Sequence, residues 1–139
     1  MGTVKISKLV IDTNVVVSGL LFGGAPGEIV DLWKKGEIRP LCSGEIVEEY
    51  LRVLAYSKFA LTESEIDYLL AQEILPWFDV VQVEAGRAYV KADPSDDKFI
   101  WCALAGKADA IISGDEHLLT LPSCPVSVLS VPKFLKRKG

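Results

Sequence analysis

The segment Leu9-Val10-Ile11-Asp12-Thr13-Asn14-Val15-Val16-Val17 places three polar residues, one of them ionised, inside an otherwise continuous apolar run. A stretch such as Leu9-Val10-Ile11 reads as a strand buried on both faces, the kind found in parallel sheets. A carboxylate at the end of such a strand is costly unless something pairs with it, because desolvation disfavours the charged form. Asp12 therefore has two roles open to it, capping the next helix or holding a cation.

The rest of the chain alternates strand and helix signals. "APGEIVDLWKKG" is a helix with Pro26 tolerated in its first turn and Gly36 ending it. "IRPLC" follows as a strand, with Pro40 arguing for a sheet edge. "SGEIVEEYLRVLAY" has Ser43 as N-cap and apolar Ile46, Val47, Tyr50, Leu51 and Leu54 at helical spacing. "TESEIDYLLAQEIL" opens on the capping box Thr62-x-x-Glu65 and runs to Pro76. "DVVQV" is a short strand, and "ADPSDDKFIWCALAGKA" a helix with Asp93 as cap and Pro94 at its first position. "DAIIS" is a buried strand, "DEHLLTL" a short helix and "VSVLS" a last strand before a basic tail. This alternation predicts an α/β fold, a three-layer α/β/α sandwich around a mostly parallel sheet, in a single domain spanning 1–139.

With 139 residues, half of them hydrophobic, such a domain buries a core without disulfides or metal staples. Cys42, Cys102 and Cys124 form no C-x-x-C pair and read as small core residues of a reducing compartment. No signal-peptide pattern and no apolar run of membrane-spanning length is present, so a cytoplasmic protein is expected. Trp33, Tyr68 and Trp77 are either core residues or an apolar surface patch for a homodimer or a partner helix. The net charge of −4 argues against a broadly basic nucleic-acid face. The basic tail Lys133-Phe134-Leu135-Lys136-Arg137-Lys138 reads first as a solvated end and second as an RNA-contacting arm.

Ligands of parallel sheets sit beyond the C-terminal strand ends, and the acids gather there. Asp12 follows the first strand, and Asp115 follows Ala110-Ile111-Ile112-Ser113-Gly114. Asp96 and Asp97 lie in the first turn of their helix, Asp97 on the face of Ile100 and Leu104 with Asp96 close to it. In the earlier helix, Glu48 and Glu49 border the apolar arc on opposite sides, and spacing alone does not choose between them. Singly, each acid reads more simply as a cap or a favourable charge at a helix start. Together, carboxylates converging on one sheet edge repel one another unless a cation joins them, and oxygen donors suit Mg²⁺ or Mn²⁺. His117 is the only histidine and no cysteine pair exists, so zinc and a two-imidazole mechanism are not expected. Nucleophile-elbow, P-loop and dinucleotide-binding glycine patterns are absent.

Three segments, "LVIDTNVVVSGLL", "SGEIVEEYLRVL" and "DPSDDKFIWCALAGKADAIISGDEHLL", occur in an order and spacing that resembles the PIN domain, the PilT N-terminal type common among VapC-like toxins of toxin–antitoxin pairs. The resemblance covers nearly the whole chain and implies a nuclease site of four acids around one or two Mg²⁺ or Mn²⁺ ions. Carried over by position, those acids are Asp12, Glu49, Asp97 and Asp115, with Asn14 and Ser113 as supporting polar residues. The resemblance thus selects Glu49 over Glu48 and Asp97 over Asp96, leaving Asp93 as cap. It implies an endoribonuclease acting on single-stranded RNA, with a cognate antitoxin as partner. Rival readings are a non-catalytic PIN-fold interaction module and a DNA-directed 5′-nuclease; the second needs additions for which 139 residues leave little room. A receiver-like phosphoacceptor also clusters aspartates at strand ends, but the order and spacing here suit it poorly.

Overall fold

The computed structural model describes residues 6–138; Met1–Lys5 and Gly139, the ends of the expected domain, lie outside the described residues. In chain order the elements are β1 (Ser7–Ile11), α1 (Thr13–Leu21), α2 (Gly24–Lys34), β2 (Ile38–Cys42), α3 (Gly44–Leu54), α4 (Glu63–Tyr68), β3 (Asp79–Val80), α5 (Asp97–Ala105), β4 (Ala110–Ile112), α6 (Glu116–Leu119), β5 (Val128–Leu129) and α7 (Val131–Lys138). The strands form one sheet in the order β3-β2-β1-β4-β5, and every neighbouring pair is parallel. Crossovers leave β1 toward β2 and later return to its other side at β4, so helices flank the sheet as an α/β sandwich requires. The reversal of direction between β1 and β4 opens a crevice at their C-terminal ends.

The apolar signals of the sequence become the core. Leu9, Val10 and Ile11 in β1 are buried, as are Ile46, Tyr50 and Leu54 on one face of α3 and Phe99, Ile100, Cys102 and Ala103 on α5. Helix α2 packs on β2, and α5 spans β1, β2 and β4. Tyr50 reaches from α3 beneath the end of β1, where its hydroxyl donates to the Ile11 carbonyl at 2.7 Å. Trp33 is also core: its ring meets Phe78 edge-on at 4.9 Å and its indole N–H donates to the Glu73 carbonyl at 3.0 Å. Of the three aromatics expected in core or patch, Trp33 is buried, Trp77 half-buried and Tyr68 exposed.

Local signals mostly hold. Ser43 caps α3 through the Ile46 N–H, and Thr62 and Glu65 form the full capping box. Pro40 is tolerated in an inner strand because β3 pairs only with Leu41 and Cys42, leaving that side of β2 uncovered at the proline. Helix α4 does not continue regularly to Pro76; residues 69–74 widen into a π-helical turn, in which Leu75 N–H reaches the Leu70 carbonyl at 2.9 Å. The helix expected from Pro94 begins with a 3₁₀ turn at Pro94–Asp96. The tail expected as a solvated end is helix α7, anchored on the fold by buried Val131 and Phe134, with its basic residues in the last turn where the helix dipole favours them. Cys42, Cys102 and Cys124 are free thiols, the first two buried. Among the described residues no single helix is long and apolar enough to cross a membrane.

Helices α1 and α2 meet at 92° through Gly19. A Cβ at Gly19 would lie 2.6 Å from the Pro26 carbonyl oxygen and 2.7 Å from Val30, and the backbone contact cannot yield by a rotamer change. Gly19→Ala is therefore expected to lower unfolding stability by about 1–3 kcal/mol, as overpacking does, measurable by chemical denaturation against the parent protein.

Candidate metal centre

Asp12 leaves β1 at the crevice and uses both carboxylate oxygens at once. Oδ1 accepts from Asn14 N–H at 2.7 Å, capping α1, and Oδ2 accepts from the Ser113 hydroxyl at 2.5 Å. Its own N–H continues the sheet to the Ile112 carbonyl at 3.0 Å. The Ser113 oxygen in turn accepts from Asp115 N–H at 2.9 Å, and Asp115 caps α6 through His117 N–H at 2.8 Å. The capping role of Asp12 is thus real, and it leaves the carboxylate on the wall of a cleft of 370 Å³ shared with Asn14, Ser18, Gly114, Asp115 and Ser130.

The 3₁₀ turn supplies the other acids. Asp93, Asp96, Asp115 and His117 each offer one ligand atom, and these atoms all lie within 4.8 Å of one another. Asp96 is buried, and its Oδ2 meets no hydrogen-bond donor. Burial first, and then the neighbouring carboxyl of Asp115, push the Asp96 pKa up to about 8, with Asp93 and Asp12 adding repulsion. Asp12 is raised too, chiefly by burial; its bonds from Ser113 and Asn14 oppose the rise, and Asp115 and Glu49 add to it. Asp93, bonded by the Ser95 hydroxyl at 2.6 Å, is lowered and keeps its charge at the exposed rim. The orphaned Asp96 oxygen and the oxygen-rich donor set fit a hard divalent cation.

The remaining acids are differently engaged. Asp97 turns away from Asp115: its Oδ1 accepts from Tyr89 N–H at 2.9 Å and Val90 N–H at 2.8 Å, pinning the segment before the 3₁₀ turn. Glu49 is half-buried beside Asp12, and Glu48 is exposed. Glu49 Oε2 accepts from the Thr13 hydroxyl, and Oε1 pairs with Lys98 Nζ at 2.7 Å and with Arg52 at 3.5 Å. Lys98 also donates to the Ser95 carbonyl. Sequence reasoning missed Lys98; the available signal was a lysine heading the otherwise apolar run "FIWCALA". His117 Nδ1 stands 3.5 Å from Asp115 Oδ1.

A raised carboxyl pKa carries a sign. Folded Asp96 binds a proton that the unfolded chain, at its ordinary value of 3.8, releases, so its contribution to stability is full below 3.8 and is lost as pH rises through about 8. Metal-free protein is expected to melt at progressively lower temperature across that window, and Asp96→Asn to flatten the decline. Thermal melts in EDTA at pH 5 to pH 9 measure both.

A PIN domain family profile matches residues 8–117 of the chain. The structure of FitAcB from Neisseria gonorrhoeae superposes with a TM-score of 0.61 at 18% identity, covering 88% of this chain and 97% of that one. PAE2754 from Pyrobaculum aerophilum gives a TM-score of 0.62 at 14% identity, covering 95% of this chain and 88% of that one. No curated protein matches the sequence significantly. At such identities the two structures speak for the fold, and the profile, which spans most of the chain, for the family: this protein belongs to the PIN domain family.

Proposed function

We propose that this chain is a divalent-metal-dependent endoribonuclease that hydrolyses phosphodiester bonds of single-stranded RNA. One observation carries the reading: Asp96 Oδ2 is buried without a donor while facing other carboxyls at the strand ends, an arrangement that only a proton or a cation relieves. Asp93, Asp96, Asp115 and His117, whose ligand atoms lie together, are the proposed holders of the ion, with Asp12 on the wall of the same crevice and its charge reaching Asp96. This differs from the expected set of Asp12, Glu49, Asp97 and Asp115 at more than one position: Asp96 enters, Asp97 Oδ1 accepts from the Tyr89 and Val90 N–H groups, and Glu49 is paired with Lys98. Bound there, Mg²⁺ or Mn²⁺ would polarise a phosphoryl oxygen and lower the pKa of the attacking water. Ser113 holds Asp12 and Asp115 in mutual register, and the cleft beyond them admits the substrate. Hydrolysis by water leaves the 2′-hydroxyl unused, so the products are 5′-phosphate and 3′-hydroxyl ends.

RNA as substrate and a toxin role with a cognate antitoxin come from the likeness to VapC-like PIN proteins. Exposed Phe22, whose ring lies 5.9 Å from that of Phe59, and exposed Tyr68, which shares a groove with Leu21, Leu61 and Leu69, supply apolar surface for an antitoxin helix or a homodimer. The same patch favours a second reading, a PIN-fold interaction module without catalysis. Incubation of unstructured RNA with the protein separates them. Cleavage is expected with Mn²⁺ or Mg²⁺, and none in EDTA. Asp96→Asn and Asp12→Asn should lower it by orders of magnitude while leaving the metal-free fold no less stable. Asp97→Ala should instead cost stability, about 1–3 kcal/mol for stranding buried N–H groups. Undiminished cleavage in EDTA, or in Asp96→Asn, defeats the assignment.

A further inference from the structure

Two clefts meet at helix α6. The first, of 370 Å³, is walled in part by Asp12 and Asp115; the second, of 450 Å³, opens between residues 89–92 and residues 117–122. His117 belongs both to the second cleft and to the group of ligand atoms it forms with Asp93, Asp96 and Asp115, so whatever occupies that cleft lies beside an ion held there. A strand of RNA brought to those acids carries phosphates that they repel, and cations along its path must offset the repulsion. The second cleft suits that need. Although the chain has a net charge of −4, no carboxylate lines this cleft, and exposed Lys91 is part of its wall. The half-buried ring of Tyr89 shares the wall with Thr120, Leu121 and Pro122, and the Arg87 guanidinium lies 5.5 Å from the centre of that ring.

We propose that this second cleft receives a nucleotide flanking the scissile phosphate of single-stranded RNA, its base stacked on Tyr89 and its backbone phosphate met by Lys91 and Arg87. The inference rests on the ribonuclease reading above and deepens it by naming where the substrate strand is gripped. An aromatic ring with cations beside it binds unpaired strands with little regard to sequence, because every base has a π-face and a duplex keeps those faces stacked inside. The ring and its cation are also held in advance. Buried Asp97 accepts from the N–H groups of Tyr89 and Val90, and Trp101 donates its indole N–H to the Arg87 carbonyl. A segment with no helix or strand of its own is thereby fixed at the two residues that bear the ring and the guanidinium, which lowers the ordering cost of binding.

Fluorescence anisotropy of a fluorescein-labelled, unstructured RNA oligonucleotide in EDTA tests this apart from catalysis. Tyr89→Leu, which keeps apolar bulk but has no ring, should weaken binding about tenfold, the scale of a lost base stack, while Tyr89→Phe and Tyr89→Trp stay within about twofold of the parent. Lys91→Gln should reduce the slope of log Kd against log salt by about one. Lys107→Gln, the same change beyond the far end of α5, should leave both affinity and slope unchanged. With Mn²⁺ present, Tyr89→Leu should raise KM by a similar factor and leave kcat alone, since the ring does not touch the reacting phosphate. An abasic nucleotide at one position beside the scissile bond should mimic Tyr89→Leu, and the two changes together should cost no more than either alone. Parent-like binding by Tyr89→Leu overturns the subsite, as does a Lys107→Gln effect equal to that of Lys91→Gln, or a protein that binds no RNA. If Tyr89→Leu does not fold, Lys91→Gln and the abasic scan of the intact protein decide. Protein that binds RNA with these responses yet cleaves none with Mn²⁺ or Mg²⁺ defeats the nuclease reading and leaves the subsite standing.

Discussion

The hydrogen bond from Ser113 to Asp12 joins the ends of two strands 101 residues apart in sequence, and the geometry of the site depends on it. Strands β1 and β4 are neighbours in the sheet, and the ladder between them continues one step past β1 through the Asp12 N–H. Ser113 then works in two directions, donating to Asp12 and accepting from Asp115 N–H. One hydroxyl thereby sets the relative position of two carboxylates that repel each other. From below, Tyr50 grips the Ile11 carbonyl, so the strand end is held from the core side as well. A fully buried tyrosine with its hydroxyl satisfied is a rigid support, and it belongs to the helix that carries Glu49.

Electrostatics then sort acids that look alike in the sequence. Glu65 and Asp93 sit near solvent, the first accepting from the backbone N–H of its cap Thr62 and the second, itself a cap, from Ser95, and both are lowered in pKa. Asp12 and Asp96 are raised, because burial removes hydration that their neighbours replace only in part. The four hydrogen-bonding events around Asp12 and Asp115 satisfy some lone pairs without adding positive charge. On the Glu49 side positive charge comes from Lys98 and, at longer range, from Arg52, while Asp96 Oδ2 has no hydrogen-bond partner. The acidic pocket is therefore not uniform in this chain.

Much of this was legible beforehand. The interruption of an apolar run located Asp12, the Ser43 and Thr62 caps located two helix starts, and parallel-sheet logic brought Asp115 to the same edge. Glu49, the glutamate the family likeness selects, is half-buried and accepts from the Thr13 hydroxyl, while Glu48 is exposed. Spacing leaves Asp96 and Asp97 both near the core face and the family likeness selects Asp97; neither reading anticipates a 3₁₀ turn at Pro94–Asp96. The chain starts with a 3₁₀ turn, which advances each residue further around the axis, and that rotates Asp96 toward Asp115 and Asp97 onto the preceding segment. Helix α7 escaped because its short apolar set, Val131, Phe134 and Leu135, is embedded among basic residues that suggest a solvated tail. Trp33 was ambiguous for a different reason: its burial depends on Phe78 and Glu73, partners far along the chain that no local pattern names.

The adjacent pair Asp96-Asp97 shows how one turn divides chemistry from architecture. The segment between β3 and the 3₁₀ turn has no helix or strand of its own, so its backbone N–H groups need partners from outside it. Asp97 satisfies two of them with a single oxygen, and Trp101, one turn further along α5, donates its indole N–H to the Arg87 carbonyl at 2.9 Å. Gly86 lies so close to that indole that a Cβ would sit 3.1 Å from the ring, which lets the backbone settle against it. Helix α5 thus holds an irregular segment through two side chains while its preceding turn presents Asp96 to the strand ends. A charged acceptor suits that fastening better than a neutral one, since hydrogen bonds to a carboxylate are the stronger kind. The second aspartate of the pair lets the first remain unpartnered, because the wall beside Asp96 no longer depends on it.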